Sequence, residues 1–367
     1  MLREYRKDDR DSPEGLVELG RNRALAGMHD AAVESFRKAI AAKPDYAEAH
    51  FGLACSCLAT GVLDQAEAEY RETLRLDERH ARARSDLGYC LLYCGRLDEA
   101  AVELEKAVAD DPAQQVAHYR LGLAYLRKNM DEGAIAEFRH AARLDPSYAD
   151  AYSALGRTFG LIGRYDDAAE AFRKAVELKP DSSEYRYDLG LALSLKGELE
   201  AGNKEFVEAI RLDPEYPDPH TAMGNNLFVD GKLDEAAFEF REAIRLNRYL
   251  EEPHYRLAQA YEQKGVLGEA IKEYQEAIVI KPGYYDARFG LALAFRKLGR
   301  DESAIRELAE AIRLRPESAR AYHEIGSAFH KMGFLDEALK NYEKAAQLDP
   351  SLAGTVDKVK KERARKK

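Results

Sequence analysis

The stretch ADAYSALGRTFGLIGRYDDAAEAFRKAVELKPDS, residues 149–182, carries the reading that decides the fold. Its apolar residues fall at helical spacing on both sides of Gly163, a residue suited to the left-handed turn that ends a helix. Pro180 closes the second run, because proline cannot continue a helix. Counted from Ala149, positions 1–14 read as helix A and positions 18–31 as helix B. Small residues stand at positions 8, 20 and 27 (Gly156, Ala168, Ala175), and large apolar ones at 7, 11 and 24 (Leu155, Phe159, Phe172). Small against large lets two antiparallel helices touch closely. Asp166 is placed to cap helix B.

The same grammar recurs along the chain. Glycine falls every 34 residues at Gly27, Gly61, Gly95, Gly163, Gly197, Gly231, Gly265, Gly299 and Gly333, with Asn129 in the one remaining place. Proline keeps phase at Pro44, Pro112, Pro146, Pro180, Pro214, Pro282, Pro316 and Pro350, while Glu78 and Arg248 replace it in two turns. A fixed period of this size marks a solenoid of stacked hairpins. The frame gives a charged extension at 1–12 and ten units at 13–46, 47–80, 81–114, 115–148, 149–182, 183–216, 217–250, 251–284, 285–318 and 319–352. A final amphipathic segment at 353–367 follows, in which Val356 and Val359 are placed to cover the last hairpin. At the other end, Arg21 and Arg23 suit a first unit with one solvated face. Asp30, Asp64, Asp98, Asp166, Asp234 and Asp336 are the expected caps of helix B.

Small residues at 8, 20 and 27, large ones at 7, 11 and 24 and proline at 32 resemble the tetratricopeptide repeat family, over residues 13–352. The resemblance implies an all-α, right-handed superhelical solenoid with helix A on the inner side and a capping helix at the C-terminal end. Position 4, commonly a large aromatic in that family, is here His50, His118, His220 or His254, Arg84, Arg186 or Arg288, and Tyr only at Tyr152 and Tyr322. The histidines are expected to cap or pack against the preceding helix B. Arg23 replaces the apolar residue at position 11 of the first unit.

On helix A, positions 4, 7, 8 and 11 share one face and 2, 6, 9 and 13 the other, flanked by 5 and 12. The second set is the candidate ligand surface. It comprises Tyr89, Tyr93, Tyr119, Arg120, Leu123, Arg157, Leu161, Tyr187, Leu191, Leu195, Asn225, Phe228 and Val229, then Tyr255, Arg256, Gln259, Phe289, Arg296 and Lys297. The floor shifts from apolar and aromatic to polar and basic, a shift that Gln263, His330 and Lys331 continue. An amphipathic helix or extended peptide would set its apolar side on the first part and acidic residues on the second. Tyrosine and arginine at such places are common binding hot spots. The acids at position 2 (Glu14, Glu48, Asp150, Glu184, Asp218, Glu252, Asp286) sit in first turns, where the helix dipole favours them. The carboxylate clamp of chaperone-binding family members needs Lys at position 5 and Asn at 6. Position 5 never carries Lys and position 6 never Asn, which also removes the asparagine ladder of the O-GlcNAc transferase repeats.

Other chemistry is thinly represented. Cys55 and Cys57 project on different sides of one helix, and Cys90 and Cys94 share a face; all four read as small buried hydrophobes, with no metal assigned. No phosphate loop, nucleophile elbow or zinc-protease signature is present, and no cofactor is implied. The chain has 367 residues, 46% hydrophobic and 33% charged, with a net charge of −10. That balance argues against a general nucleic-acid binder, whose footprint is broadly basic. No apolar run is long enough to span a membrane, and no signal-peptide pattern opens the chain. Few cysteines point to a reducing cytoplasm. KVKKERARKK at the end reads as a solubilising helix terminus. The sequence therefore points to a non-enzymatic cytoplasmic scaffold holding a protein or peptide ligand. Self-association, or recruitment of substrate for an enzyme on a separate chain, are the alternatives.

Overall fold

The computed structural model describes residues 11–366. Among the described residues the only regular secondary structure is helical. Paired helices run α1 (Pro13–Leu25) and α2 (His29–Ala42), α3 (Ala47–Ala59) and α4 (Leu63–Leu76), α5 (Ala81–Tyr93) and α6 (Leu97–Asp110), α7 (Gln115–Arg127) and α8 (Asp131–Leu144), α9 (Ala149–Leu161) and α10 (Tyr165–Leu178). They continue α11 (Ser183–Lys196) and α12 (Leu199–Leu212), α13 (Pro217–Val229) and α14 (Leu233–Leu246), α15 (Glu251–Gln263) and α16 (Leu267–Ile280), α17 (Tyr285–Lys297) and α18 (Asp301–Leu314), α19 (Ala319–Lys331) and α20 (Leu335–Leu348). A 3-10 turn at Pro350–Leu352 leads into α21 (Ala353–Lys366). The chain forms two compact units, Met1–Asp181 and Ser182–Lys367.

The turn within each hairpin follows from one backbone requirement. All nine periodic glycines have positive φ, from 73° to 94°, and Asn129 has φ 57°. That conformation lets the following residue's N–H reach back to the helix, as Val62 N donates to the Cys57 carbonyl at 2.9 Å. Helix B starts one residue earlier than expected, so Asp30, Asp64, Asp98, Asp166, Asp234 and Asp336 are not its caps. None of the corresponding caps (Met28, Val62, Arg96, Arg164, Lys232, Phe334) makes a side-chain capping bond. The aspartates lie in the first turn, favoured there by the helix dipole. Three of them also hold a cation from a following helix: Asp98 takes Lys128 at 2.8 Å, Asp234 takes Lys264, and Asp336 takes Arg363 at 2.5 Å. Between hairpins, Asp77, Asp111, Asp145, Asp213 and Asp349, and Asn247, accept from the backbone two residues on, a turn that aspartate and asparagine favour.

Packing explains the small residues. Position 24 is filled by Phe36, Tyr70, Leu104, Phe138, Phe172, Phe206, Phe240, Tyr274, Leu308 and Tyr342, each buried. A Cβ on Gly122 would lie 2.6 Å from the Phe138 ring, and one on Gly224 2.6 Å from Phe240. The ring therefore rests on bare backbone, and a side chain added at Gly122 or Gly224 would force the ring to shift.

The position-4 histidines and arginines do not turn toward the preceding helix B. Each reaches the helix B of its own hairpin, nineteen residues on. His50 donates to Glu69 at 2.6 Å, His118 to Glu137 at 2.6 Å, His220 to Glu239 at 2.7 Å and His254 to Glu273 at 2.6 Å. Arg84, Arg186 and Arg288 hold Glu103, Glu205 and Glu307 at 3.2, 2.8 and 3.0 Å. The other edge of the group meets a carbonyl of the preceding turn: Pro44 for His50, Pro112 for His118, Pro282 for Arg288. Where both contacts form, at His50, Arg84, His118, His254 and Arg288, the clasp joins three segments of backbone. Arg23 is partly covered and turns to its own helix B as well, donating to Ser35 Oγ at 2.7 Å and the Ala31 carbonyl at 3.1 Å.

At the C-terminal end α21 buries Val356 and Val359 against Leu339 and Tyr342 of α20, as the sequence led one to expect. Residues 1–10 of the charged extension and Lys367 of the basic tail lie outside the described residues. Cys57 and Cys90 are buried, Cys55 is partly covered and Cys94 is exposed. Burial pushes the Cys55 thiol up to about 11 and the Cys90 thiol to about 12, with Asp86 and Cys94 respectively adding to the effect. A raised thiol keeps its proton and is a poor nucleophile. With iodoacetamide at pH 8, Cys94 is expected to be labelled first, and Cys55 and Cys90 about a hundredfold more slowly. Equal labelling in the folded protein, followed residue by residue by mass spectrometry, would contradict this packing.

Candidate functional site

In the first of the two compact units the expected surface residues meet where α5 and α7 run side by side. The Tyr89 and Tyr93 hydroxyls are 3.0 Å apart, with the rings edge to face at 4.9 Å. The Arg120 guanidinium lies over the Tyr89 ring at 4.6 Å and donates to Ser85 Oγ at 2.9 Å and Asp86 Oδ1 at 2.5 Å. Leu123 is half-buried, while on α9 Leu161 is 73% exposed and Arg157 is exposed with a partner of its own.

In the second unit α11, α13 and the start of α15 enclose a cleft of about 700 Å³. Tyr187, Leu191, Leu195, Asn225 and Val229 line it together, joined by the α15 N-terminus at Glu251, Glu252 and Pro253. Leu195 and Val229 are 59% and 74% exposed, so the lining is open and apolar. Its floor is fixed by Asn226, which the sequence reading passed over. Asn226 Nδ2 donates to Ser194 Oγ and Asn203 Oδ1, both at 2.8 Å, tying α11, α12 and α13 together. A buried amide satisfied in this way rigidifies its surroundings. Phe228 turns partly inward, onto Leu227 and Phe240.

The position-5 tyrosines are anchored rather than loose. Tyr119 packs against Phe138 and Tyr148, Tyr187 against Phe206 and Tyr216, and Tyr255 against Tyr274 and Tyr284, at 5.0–6.0 Å between ring centres. Burial raises the Tyr187 hydroxyl to about 12, with Asp218 and Asp188 adding to it, so it is a neutral phenol. The pairing recurs at positions 5 and 34 of alternate hairpins, a signal the sequence contains. Phe289 stacks on Tyr285 at 6.0 Å and under Arg320.

The basic stretch expected further along is largely neutralised from within. Arg256 is held by Glu252 at 2.7 Å and by Gln259, which itself donates to the Tyr255 hydroxyl. Arg296 is held by Glu324 and Ser327, Lys297 by Glu262 at 2.8 Å, Lys331 by Asp301 at 2.9 Å and His330 by Glu362 at 2.8 Å. An acidic ligand would have to displace a carboxylate at each, so this part of the surface is not the ready anion site the sequence suggested.

Models described as tetratricopeptide repeat match residues 24–87, 91–149, 153–217, 221–285 and 319–352, and one described as TPR repeat matches 292–333. No curated protein sequence matches the chain. Among solved structures, MamA is 25% identical over 45% of this chain and 97% of its own, with a TM-score of 0.43. YrrB, described as a TPR protein with an unusual peptide-binding site, is 24% identical over 52% of this chain and 100% of its own, with a TM-score of 0.47. Yeast Tom70 is 15% identical over 96% of both chains, with a TM-score of 0.44.

Proposed function

The chain belongs to the tetratricopeptide repeat family, and on that premise we propose that it is a non-enzymatic interaction scaffold whose α11–α13–α15 cleft holds a peptide. One observation carries the reading: Tyr187, Leu191, Leu195 and Val229 present an open apolar wall on a framework locked by Asn226. Apolar side chains left wet in a concavity favour a ligand that covers them. Tyr187 supplies a rigid aromatic edge, since its ring is already packed on Phe206 and Tyr216 and loses little freedom on binding. An amphipathic helix or an extended strand with apolar residues on one side is the matching shape. Asn225 and the carboxylates of Asp218 and Glu252 line the same cleft and supply polar contacts along its rim.

The test is a selection from a displayed peptide library, followed by calorimetric titration of the enriched peptide. Wild-type protein is expected to enrich peptides with a one-sided apolar pattern. Tyr187→Ala combined with Leu191→Asp and Leu195→Asp should weaken the best of them by about thirtyfold or more, since hot-spot aromatics lost with their apolar surround cost at least ~2 kcal/mol. Circular dichroism must show the variant still helical. If the folded variant binds as well as wild type, the cleft is not the site and the reading fails. If wild type enriches nothing and sediments as an oligomer through this same face, self-association replaces it.

A further inference from the structure

Helices α8, α9 and α10 form a second cleft, of about 850 Å³, on the side contributed by helix B. It lies where the clasp is missing. In seven hairpins a histidine or arginine at position 4 holds a glutamate at position 23, but the α9–α10 hairpin carries Tyr152 and Ala171 at those places. Neither clasp partner is present, and both residues line the cleft instead. Half-buried Tyr152 is the open part of its apolar wall, and Leu155 and Phe159 of α9 lie behind it, 5% and 4% exposed.

The rim carries arginines without a carboxylate partner, and for one of them the loss can be read against the repeat. Arginine stands at position 29 of helix B five times, and four of these bond the glutamate three residues before. Arg75 holds Glu72, Arg211 holds Glu208, Arg245 holds Glu242 and Arg313 holds Glu310, at 2.8–2.9 Å. The fifth, Arg143, has His140 in the glutamate's place and donates only to the Arg139 carbonyl, at 3.4 Å. Arg139 lies 5.6 Å over the Phe159 ring. Arg139, Arg143 and Arg173 have no carboxylate partner among the described residues, and all three are exposed. Of the acids in the lining, Asp167 is held by Arg164 at 2.7 Å and Glu177 by Lys174 at 2.8 Å, which leaves Glu170. Three guanidinium groups without a carboxylate partner, beside Glu170 without a cation, make a local positive site on a chain of net charge −10.

We propose that this cleft binds an acidic peptide segment of a partner protein, with an aromatic or aliphatic side chain seated on Tyr152, Leu155 and Phe159. Its carboxylates are taken by Arg139, Arg143 and Arg173, whose planar groups suit bidentate pairing. The wall gives the peptide its anchor and the guanidinium groups give it direction, so neither bare charge nor bare apolarity suffices. Polyanions such as nucleic acid are disfavoured by the overall negative charge and by the acids within the lining.

Fluorescence anisotropy on the full chain tests this, using a labelled peptide with a central phenylalanine between runs of glutamate. The same peptide with lysines in place of the glutamates, with glycine in place of the phenylalanine, and inorganic phosphate as competitor are the controls. The acidic peptide is expected to bind more weakly as salt rises, and at least about tenfold more tightly than either altered peptide. Arg143→Gln with Arg173→Gln should weaken it about tenfold or more, by loss of two charge-assisted bonds. Tyr152→His with Ala171→Glu builds the missing clasp inside the cleft and should weaken it as much. Both variants should bind the α11–α13–α15 ligand unchanged, which separates failure here from failure of that reading. The proposal is overturned if the acidic and basic peptides bind alike, if neither folded variant loses affinity, or if phosphate displaces the peptide as readily as its phenylalanine-free form does.

Discussion

Phe240→Ala is expected to cost about 3–5 kcal/mol in the stability of the α13–α14 hairpin, the range for deleting a fully buried aromatic side chain. The ring is wholly buried and lies against Leu227, Ala236, Ala237, Leu257 and Ala260. Opposite it is Gly224, where a Cβ would stand 2.6 Å from the ring edge. That glycine has no side chain to move into the space, and the alanines around it are too short, so the site cannot collapse and a cavity remains. Phe240→Leu should cost much less, about 1 kcal/mol, because most of the volume is kept. Leu104 and Leu308 already fill the same position, Leu104 facing Gly88. In a chain of stacked hairpins stability is a sum of local terms, so one global transition is the wrong readout. Amide hydrogen exchange of α13 and α14 measures the local opening free energy directly. A loss below about 1 kcal/mol for the alanine variant would mean the ring is not the keystone the packing indicates.

How far the sequence carried this reading depends on whether a feature repeats. The turn glycines, and Asn129 in the one remaining place, were legible because a left-handed backbone admits few residues and the requirement recurs in every hairpin. The position-24 side chains were legible for the same reason, since small against large is a volume constraint written into each copy. The start of helix B was misread by one residue, because aspartate is favoured both as a cap and in the first turn and spacing alone does not separate the two. The histidines were misassigned because helical periodicity places a side chain on a face but does not name its partner. The partner was nonetheless written nineteen residues downstream: Glu69, Glu137, Glu239 and Glu273 accompany the histidines, while Tyr152 is accompanied by Ala171 and Tyr322 by Asn341. Of the candidate surface, Tyr187, Leu191, Leu195 and Asn225 do converge on one cleft. The basic end was overread, because a list of cations does not show that Glu252, Glu262 and Glu324 already hold them. The α8–α10 cleft was missed altogether, being defined by residues that depart from the repeat rather than by those that obey it.

The clasp itself makes a prediction about charge. Arg288 and Glu307 are 16% and 26% exposed at their side chains, so their bond at 3.0 Å is only partly screened by water. Arg288→Glu removes a charge-assisted hydrogen bond, leaves the Pro282 carbonyl without its donor, and sets two carboxylates face to face. The combined loss is expected to be about 3 kcal/mol, of which the lost bond accounts for about half and the repulsion with the orphaned carbonyl for the remainder. Adding Glu307→Arg to the same chain restores opposite charges across the pair. The guanidinium then starts from helix B, so it does not reach the Pro282 carbonyl, and the recovery should be partial, about 1.5 kcal/mol. Hydrogen exchange of α17 and α18 in the single, reversed and double variants completes the cycle. Recovery in the double variant identifies the pair as the source of the coupling, whereas losses that simply add would mean that each residue acts through other neighbours. The same cycle on Tyr152 and Ala171 has the opposite expected sign. Installing His and Glu there should stabilise the α9–α10 hairpin while closing its cleft, so at this hairpin binding and stability compete for the same two positions.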